Sequence, residues 1–245
     1  MMQPTIRLRL EKAYNVRELG GMSTRDNQVT QWHRFLRADD ISRLSDHDID
    51  VLLQYGVNTV IDLRSQNERE AAPDALLKIA SVKTIHYPMM KGNVQNDVSQ
   101  YSPEELARLN RHLGHFYVEM LADKELIFGL LKEIITAPSG CILFHCSAGK
   151  DRTGTLTALL LKIAGVDDVD IVVHYMSSYQ YLANSPMFAK LPRGIDSGMM
   201  ESRPEYIQEA LAYLNRYANI EDYLQECGLS REQIDLLKDR LVKVG

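Results

Sequence analysis

The chain has 245 residues, 45% apolar and 25% charged, with a formal net charge of -5 and three cysteines. That length suits one large α/β unit or two small domains and excludes a miniprotein held together by disulfides. Three scattered cysteines give no repeated metal-ligand spacing and cannot pair evenly, which points to a reducing compartment. A mildly acidic total without a basic tract argues against general nucleic-acid binding, so any anionic partner must be met locally.

The N-terminal stretch Met1–Gly21 has no apolar core followed by a small-residue cleavage site, and the longest apolar runs are too short to cross a bilayer. The expectation is a cytoplasmic protein without a transmembrane segment, with secretion by an unrecognised route left open. The polar, Gly- and Pro-containing stretch Lys91–Pro103 reads as a surface loop more than a domain boundary, so residues 1–245 are expected to form one domain.

In chain order, Ser45–Tyr55 carries Ile49, Leu52 and Leu53 at helical spacing, and Thr59–Arg64 and Val82–Tyr87 read as strands. Pro103–Leu121 and Asp123–Ile135 return to helical spacing. Cys141–His145 is a short, nearly continuous apolar run of the kind buried in a central sheet. From Arg152 the chain is mostly helical: Arg152–Ile163, Asp167–Leu182, Pro204–Tyr217, Ile220–Cys227 and Arg231–Val242, punctuated by Gly165, Pro186, Pro192 and Gly228. The predicted class is α/β, with a central, mostly parallel sheet flanked by helices and a helical C-terminal half.

The informative stretch is Phe144-His145-Cys146-Ser147-Ala148-Gly149-Lys150-Asp151-Arg152-Thr153-Gly154. It leaves a strand, crosses a short loop and enters an apolar helix, which gathers loop amides and a helix N-terminus around a small concavity suited to an oxyanion. Five residues between Cys146 and Arg152 allow the loop, Ser147, Ala148, Gly149, Lys150 and Asp151, to wrap a tetrahedral anion with both flanking side chains facing it. Arg152 is the bidentate clamp, and the same field favours a Cys146 thiolate. The chemistry this suits is in-line attack of Cys146 on phosphorus, giving a cysteinyl-phosphate that water hydrolyses to inorganic phosphate. Thr153 is either a donor to the departing sulfur or an ordinary helix-start hydroxyl. His145 is expected to fix the loop by hydrogen bonding.

This loop resembles the phosphate-binding loop of protein tyrosine phosphatases: His-Cys, five residues, Arg, then Ser or Thr and Gly. Asn15-Val16-Arg17-Glu18-Leu19-Gly20-Gly21, Phe35-Leu36-Arg37-Ala38, Ile61-Asp62-Leu63-Arg64-Ser65 and the segment Tyr217–Leu229 extend the resemblance to the atypical microbial tyrosine and lipid phosphatases. The resemblance implies phosphomonoester hydrolysis without metal or organic cofactor. The implied substrates are phosphotyrosine proteins, with phosphoserine, phosphothreonine or phosphoinositides as further ones. A nucleotide P-loop does not fit, because Asp151 follows Gly149-Lys150 where a magnesium-binding hydroxyl belongs. A sulfurtransferase and a catalytically silent phospho-ligand-binding module are the alternatives.

The leaving oxygen needs an acid. Asp151 is near the pocket by its place in the loop, and the resembling microbial enzymes carry an Asp here as a candidate acid. The chain lacks the Trp-Pro-Asp tripeptide of the classical enzymes. Asp62 is the second candidate, against a reading as a structural carboxylate paired with Arg64 or a loop amide, and Asp97 a third. Lys150 and Arg64 are candidates for recognising further negative charge, with Lys150 placed at the pocket rim, and a solvated Lys150 is the competing reading. Helical lid elements are looked for within residues 166–217. There, Tyr175, Met176, Tyr179, Tyr181, Met187, Phe188, Met199 and Met200 line either an apolar wall or ordinary helix packing. Trp32, Cys141 and Cys227 read as packing residues.

Overall fold

The computed structural model describes residues 2–89, 104, 113–186 and 201–242. Its centre is a five-stranded sheet of order β1-β2-β5-β3-β4, made of β1 (Arg17–Glu18), β2 (Phe35–Ala38), β3 (Val57–Asp62), β4 (Lys83–His86) and β5 (Cys141–His145). Only the β1–β2 pairing is antiparallel, so the sheet is mostly parallel as expected. Side chains alternate between two cores. Ile142 and Phe144 of β5 pack with Phe35 and Ile61 on one face, while Cys141 and Leu143 pack with Leu36 and Val60 on the other. A strand buried on both faces must be apolar throughout, which is why Cys141–Phe144 carries no polar position.

The helices are α1 (Asp46–Tyr55), α2 (Gln66–Ala71), α3 (Leu113–Ala122), α4 (Lys124–Thr136), α5 (Asp151–Ile163), α6 (Asp168–Leu182), α7 (Pro204–Leu214), α8 (Ile220–Glu226) and α9 (Arg231–Leu241). Their starts follow capping chemistry. Ser45, Asp123, Asp167, Asn219 and Ser230 each accept a first-turn amide through the side chain. The larger core gathers side chains from α3 through α9, giving the C-terminal half its helical character. The sequence pattern misses β1 and α2, which are too short to display a period, and β2, which is buried at all four positions and so does not alternate. No described helix is long and apolar enough to cross a membrane.

The register decides where loops meet. Ala38 of β2, His145 of β5 and Asp62 of β3 are aligned Cα partners, so three parallel strands end at one level. The segments leaving these ends converge in the crevice at the carboxyl edge of the sheet, the usual ligand position in open α/β sheets. Within residues 166–217, α6 and α7 are described. Met187, Phe188, Met199 and Met200 lie outside the described residues, as do Asp97 and the Lys91–Pro103 stretch.

Away from this edge, a caged cation joins the C-terminal helices to α4. The Lys124 ammonium sits 3.9 Å from the Tyr223 ring centroid, 4.8 Å from that of Tyr217 and 5.3 Å from that of Tyr213. It also donates to Tyr217 Oη at 2.8 Å. Replacing Lys124 by Met is expected to cost about 1–2 kcal/mol, from lost cation–π attraction at a partly desolvated site. Thermal melting should show this as a fall of roughly 4 °C, and an unchanged melting temperature would show the cage to be incidental.

Candidate active site

Between β5 and α5 the chain makes a tight loop whose carbonyls are all spoken for on the outside. Cys146 O meets His145 Nδ1 at 3.3 Å, and Ser147 O accepts from the Asp40 amide at 3.0 Å. Asn15 Nδ2 donates to Ala148 O at 3.2 Å and to Gly149 O at 3.1 Å, and Arg37 Nη2 adds a second donor to Gly149 O. The peptides are trans, so each N–H points opposite to the preceding carbonyl. Anchoring four successive carbonyls outward therefore turns the amides of Ser147, Ala148, Gly149 and Lys150 away from the scaffold, into a nest able to receive an oxyanion.

The turn needs glycine at one point. Gly149 has φ +61°, and a Cβ there would stand 2.4 Å from Ala38 O. Immediately after it, α5 begins at Asp151, so the helix N-terminus adds its partial positive charge.

Arg152 is 8% exposed and forks onto Glu68 of α2, with Nη1 to Oε2 at 2.6 Å and Nη2 to Oε1 at 2.8 Å. The same carboxylate accepts Ser147 Oγ at 2.6 Å and the Ser65 amide at 2.8 Å, the latter as half of a capping box. Burial alone would raise the Glu68 pKa, but the Arg152 hydrogen bonds and charge, with Ser147 and Ser65, hold it well below the usual carboxylate range. Burial likewise opposes the Arg152 charge, and the nearby Cys146 and Glu68 outweigh it, so the guanidinium pKa rises. A guanidinium has five N–H groups. Glu68 occupies one on each terminal nitrogen and leaves the rest for an anion in the loop.

His145 is fully buried, with Nε2 3.0 Å from Asp74 Oδ2. Desolvation lowers its pKa, but the Asp74 hydrogen bond and the charges of Asp74 and Asp62 prevail and raise it. Both ring partners are acceptors, and only the protonated ring donates from both nitrogens, the form that the neighbouring carboxylates favour. Cys146 itself is 1% exposed.

Asp151 is the more open acid, its side chain 35% exposed. Its Oδ1 accepts from Lys150 Nζ at 2.6 Å and from Tyr117 Oη, which in turn lies 2.8 Å from Tyr175 Oη. Tyr175 is thus a packing and hydrogen-bonding residue beneath the loop. Tyr179 and Met176 are 37% and 41% exposed, and Tyr181 stacks under the Arg7 and Arg17 guanidinium groups. Thr153 is fully buried, and its hydroxyl has no partner among the described residues.

Two placements, those of Lys150 and Arg64, differ from expectation, and Asp62 takes the structural one of its two readings. Lys150 is 2% exposed, bonded to Asp151 and 5.9 Å from the Tyr206 ring centroid, so it is neither a rim cation nor a solvated one. Arg64 is also 2% exposed, because Asp62, Asp74 and Asp40 surround its guanidinium at 2.9, 2.6 and 3.4 Å. Asp62 holds Arg64 through both carboxylate oxygens and lies buried away from the loop opening. Asp62, Asp74 and His145 bring potential ligand atoms within 4.8 Å of one another, but the cation among these carboxylates is Arg64.

Glu68, Asn15, Arg37 and Tyr117 were not anticipated as site residues. Glu68 has a signal in the Ser65-x-x-Glu68 spacing of a capping box, and Asn15 and Arg37 fall in segments that carry the family resemblance. Asn15, Arg37 and Tyr117 reach the loop from distant parts of the chain.

The profile described as "Tyrosine phosphatase family" matches residues 8–243. A tyrosine-protein phosphatase of Nostoc commune is 32% identical over 86% of this chain and 75% of its own length. A Cupriavidus necator protein assigned to the same class is 26% identical over 86% of this chain and 80% of its own length. The triple specificity protein phosphatase PtpB of Mycobacterium tuberculosis is 23% identical over 95% of this chain and 98% of its own length.

The Glu68–Arg152 pair makes stability acid-sensitive. A depressed carboxylate contributes stability that is fully present above its unfolded value, 4.5, and is lost as the pH falls towards the folded value. Glu68→Gln should lower the melting temperature at neutral pH and flatten its decline between about pH 5 and pH 2 relative to wild type. Parallel wild-type and variant curves would contradict the pairing. Glu68→Ala, which strands the buried Arg152 cation, should cost about 3–5 kcal/mol in denaturant unfolding.

Proposed function

The chain belongs to the tyrosine phosphatase family, and on that premise we propose that residues 1–245 form one catalytic unit hydrolysing phosphotyrosine in proteins through a cysteinyl-phosphate on Cys146. Family membership makes the chain a cysteine-dependent phosphatase and sets aside the sulfurtransferase and silent-module readings. The observation that carries the assignment of roles is the loop itself. Four carbonyls anchored outward leave four amides and Arg152 to surround one tetrahedral group.

In the first step the Cys146 thiolate attacks phosphorus in line with the ester oxygen. An S–P bond forms as the P–O bond breaks. The loop amides and the N–H groups of Arg152 not held by Glu68 stabilise the equatorial oxygens in a site largely closed to water. Asp151 gives its proton to the departing phenoxide, since it is the exposed acid at the loop and its Oδ1 is fixed by Lys150 and Tyr117. In the second step Asp151 takes a proton from water as water attacks phosphorus and expels the thiolate. Thr153 donates its unspent hydroxyl to the leaving sulfur. Inorganic phosphate departs.

Substrate breadth follows from which cations are unspent. Lys150 and Arg64, the two candidates for binding extra phosphates, are buried against carboxylates. Lys150 then acts through Asp151, and the loop accepts a single phosphoryl group. Phosphoserine, phosphothreonine and phosphoinositides are secondary substrates on this reading, consistent with the name of the mycobacterial relative.

Phosphate release should be followed in chelator on a phosphotyrosine peptide, a phosphoserine peptide, a phosphoinositide and an activated aryl phosphate. Folded Cys146→Ser should lose release from all of them. Asp151→Asn should lose about 10²–10⁴-fold on the peptide and far less on the activated ester, because only the poor leaving group needs protonation. Equal losses on both would remove Asp151 as the acid. Lys150→Ala should reduce turnover on the phosphotyrosine peptide and on the phosphoinositide in parallel. A selective loss on the lipid would instead make Lys150 a headgroup cation.

A further inference from the structure

Arg17 and Arg37 are directly opposed partners on β1 and β2, and both are buried, at 1% and 0% exposure. Like charges facing each other across a strand pair are destabilising, and an uncompensated buried charge costs several kcal/mol more. Neither guanidinium has a carboxylate at ion-pair distance among the described residues, although Asp39 favours the Arg17 charge and Asp151 the Arg37 charge from further away. The adjacent acids are spent elsewhere. Glu18 accepts the amides of Leu19, Gly20 and His33 and the Tyr55 hydroxyl, and Asp39 accepts the amides of Tyr14 and Asn15.

What the two arginines touch is neutral. Arg17 donates to His174 O at 2.6 Å, to Ser177 Oγ and to Ser178 Oγ at 2.7 Å. Arg37 donates to Gly149 O, and lies 3.4 Å from both Ser178 Oγ and His174 Nδ1. His174 adds no negative charge. Burial and the two arginines push its pKa well below the ordinary value. Each arginine also has an Nε without a partner. Ser178 therefore braces two cations against each other, with Arg37 directed at the back of the phosphate loop.

We propose that Arg37, braced by Arg17 through Ser178, is a positioning residue whose buried charge is balanced by the anion across the loop: the Cys146 thiolate at rest and the phosphoryl group when bound. This rests on Cys146 being the nucleophile. It explains why a cation pair without a carboxylate in contact persists in the core, since the foremost compensating charge on Arg37 is the reactive one. It also explains why Arg37 holds the Gly149 carbonyl, because the bond that aims the Lys150 amide also sets the distance of the charge. In support, burial lowers the Arg37 pKa to about 10, and the foremost opposing influence is Cys146, ahead of Tyr175, Tyr117 and Asp151. Gly154 leaves the space for this arrangement, since a Cβ there would stand 3.0 Å from Tyr175 and 3.7 Å from Arg37 Nη2.

The test is the pH dependence of Cys146 alkylation by iodoacetamide, with Cys146→Ser defining background labelling of Cys141 and Cys227. The other titratable and charged groups packed around the loop are Arg152 and Asp151 on α5, Glu68 on α2 through Arg152, His145 on β5, Lys150 in the loop, Tyr117 on α3 and Tyr175 on α6. All are unchanged in the variants. The wild-type inflection is the reference for the variants. Arg37→Gln, which keeps a donor and loses the charge, should move the inflection up by about one pH unit, roughly tenfold less thiolate below the inflection. It should also shrink the thermal stabilisation given by inorganic phosphate. Arg37→Lys, which keeps the charge, should restore most of the shift. An inflection unmoved in folded Arg37→Gln, or equal shifts in the Gln and Lys variants, would overturn the proposal while leaving Cys146 as nucleophile. Turnover retained by folded Cys146→Ser would overturn both. If Arg37→Gln does not fold, Arg17→Gln removes charge without touching the loop. A smaller upward shift is then expected, and no shift overturns the inference.

Discussion

Everything at this site depends on the backbone of residues 146–149 being held from outside. A peptide group has two polar ends, and a loop that offers its amides to an anion must satisfy its carbonyls elsewhere. Here the task is divided among His145, the Asp40 amide, Asn15 and Arg37. These come from β5, the end of β2, the segment before β1 and β2 itself. The parallel register of β2, β5 and β3 places their ends at one level, so the sheet is the device that brings the anchors together. The loop amides are then oriented before any ligand arrives, which avoids reorganisation when charge develops.

Three of the cations around the loop are already committed to carboxylates. Arg64 is enclosed by Asp40, Asp62 and Asp74, Lys150 by Asp151, and the back edge of Arg152 by Glu68. Such pairing fixes the geometry of long side chains that would otherwise lose rotamer entropy on binding. It also narrows what is left over. Part of the Arg152 guanidinium and the opposed pair Arg17 and Arg37 have no carboxylate at ion-pair distance among the described residues, and Cys146 acts electrostatically on both Arg152 and Arg37.

The sequence made the centre of this legible and left its supports obscure. Cys141–His145 is apolar enough to be a central strand, and the loop and helix after it follow from Gly149 and the apolar spacing of α5. Most helices, and the strands β3 and β4, are also visible as periodic segments. The six-residue helix carrying Glu68 shows no period, so the partner of Arg152 went unseen although its capping-box spacing was present. Asn15 reaches the loop across 133 residues of chain, and a contact of that range leaves no local signature. Lys150 illustrates a different limit. Its place in the loop is plain, but whether an ammonium faces solvent or a neighbouring Asp151 depends on Tyr175 and Tyr206 from helices far along the chain.

The central claim is that the anchored loop exists to support a covalent phosphoryl group on one sulfur. Rapid acid quench of enzyme turning over a phosphotyrosine peptide, followed by mass spectrometry of the peptide containing residues 141–152, tests it directly. The account predicts a phosphate on Cys146 within the first turnover, absent from Cys146→Ser. Turnover that proceeds with no phosphorylated Cys146 peptide at any quench time, or a phosphate carried by another residue, would contradict it.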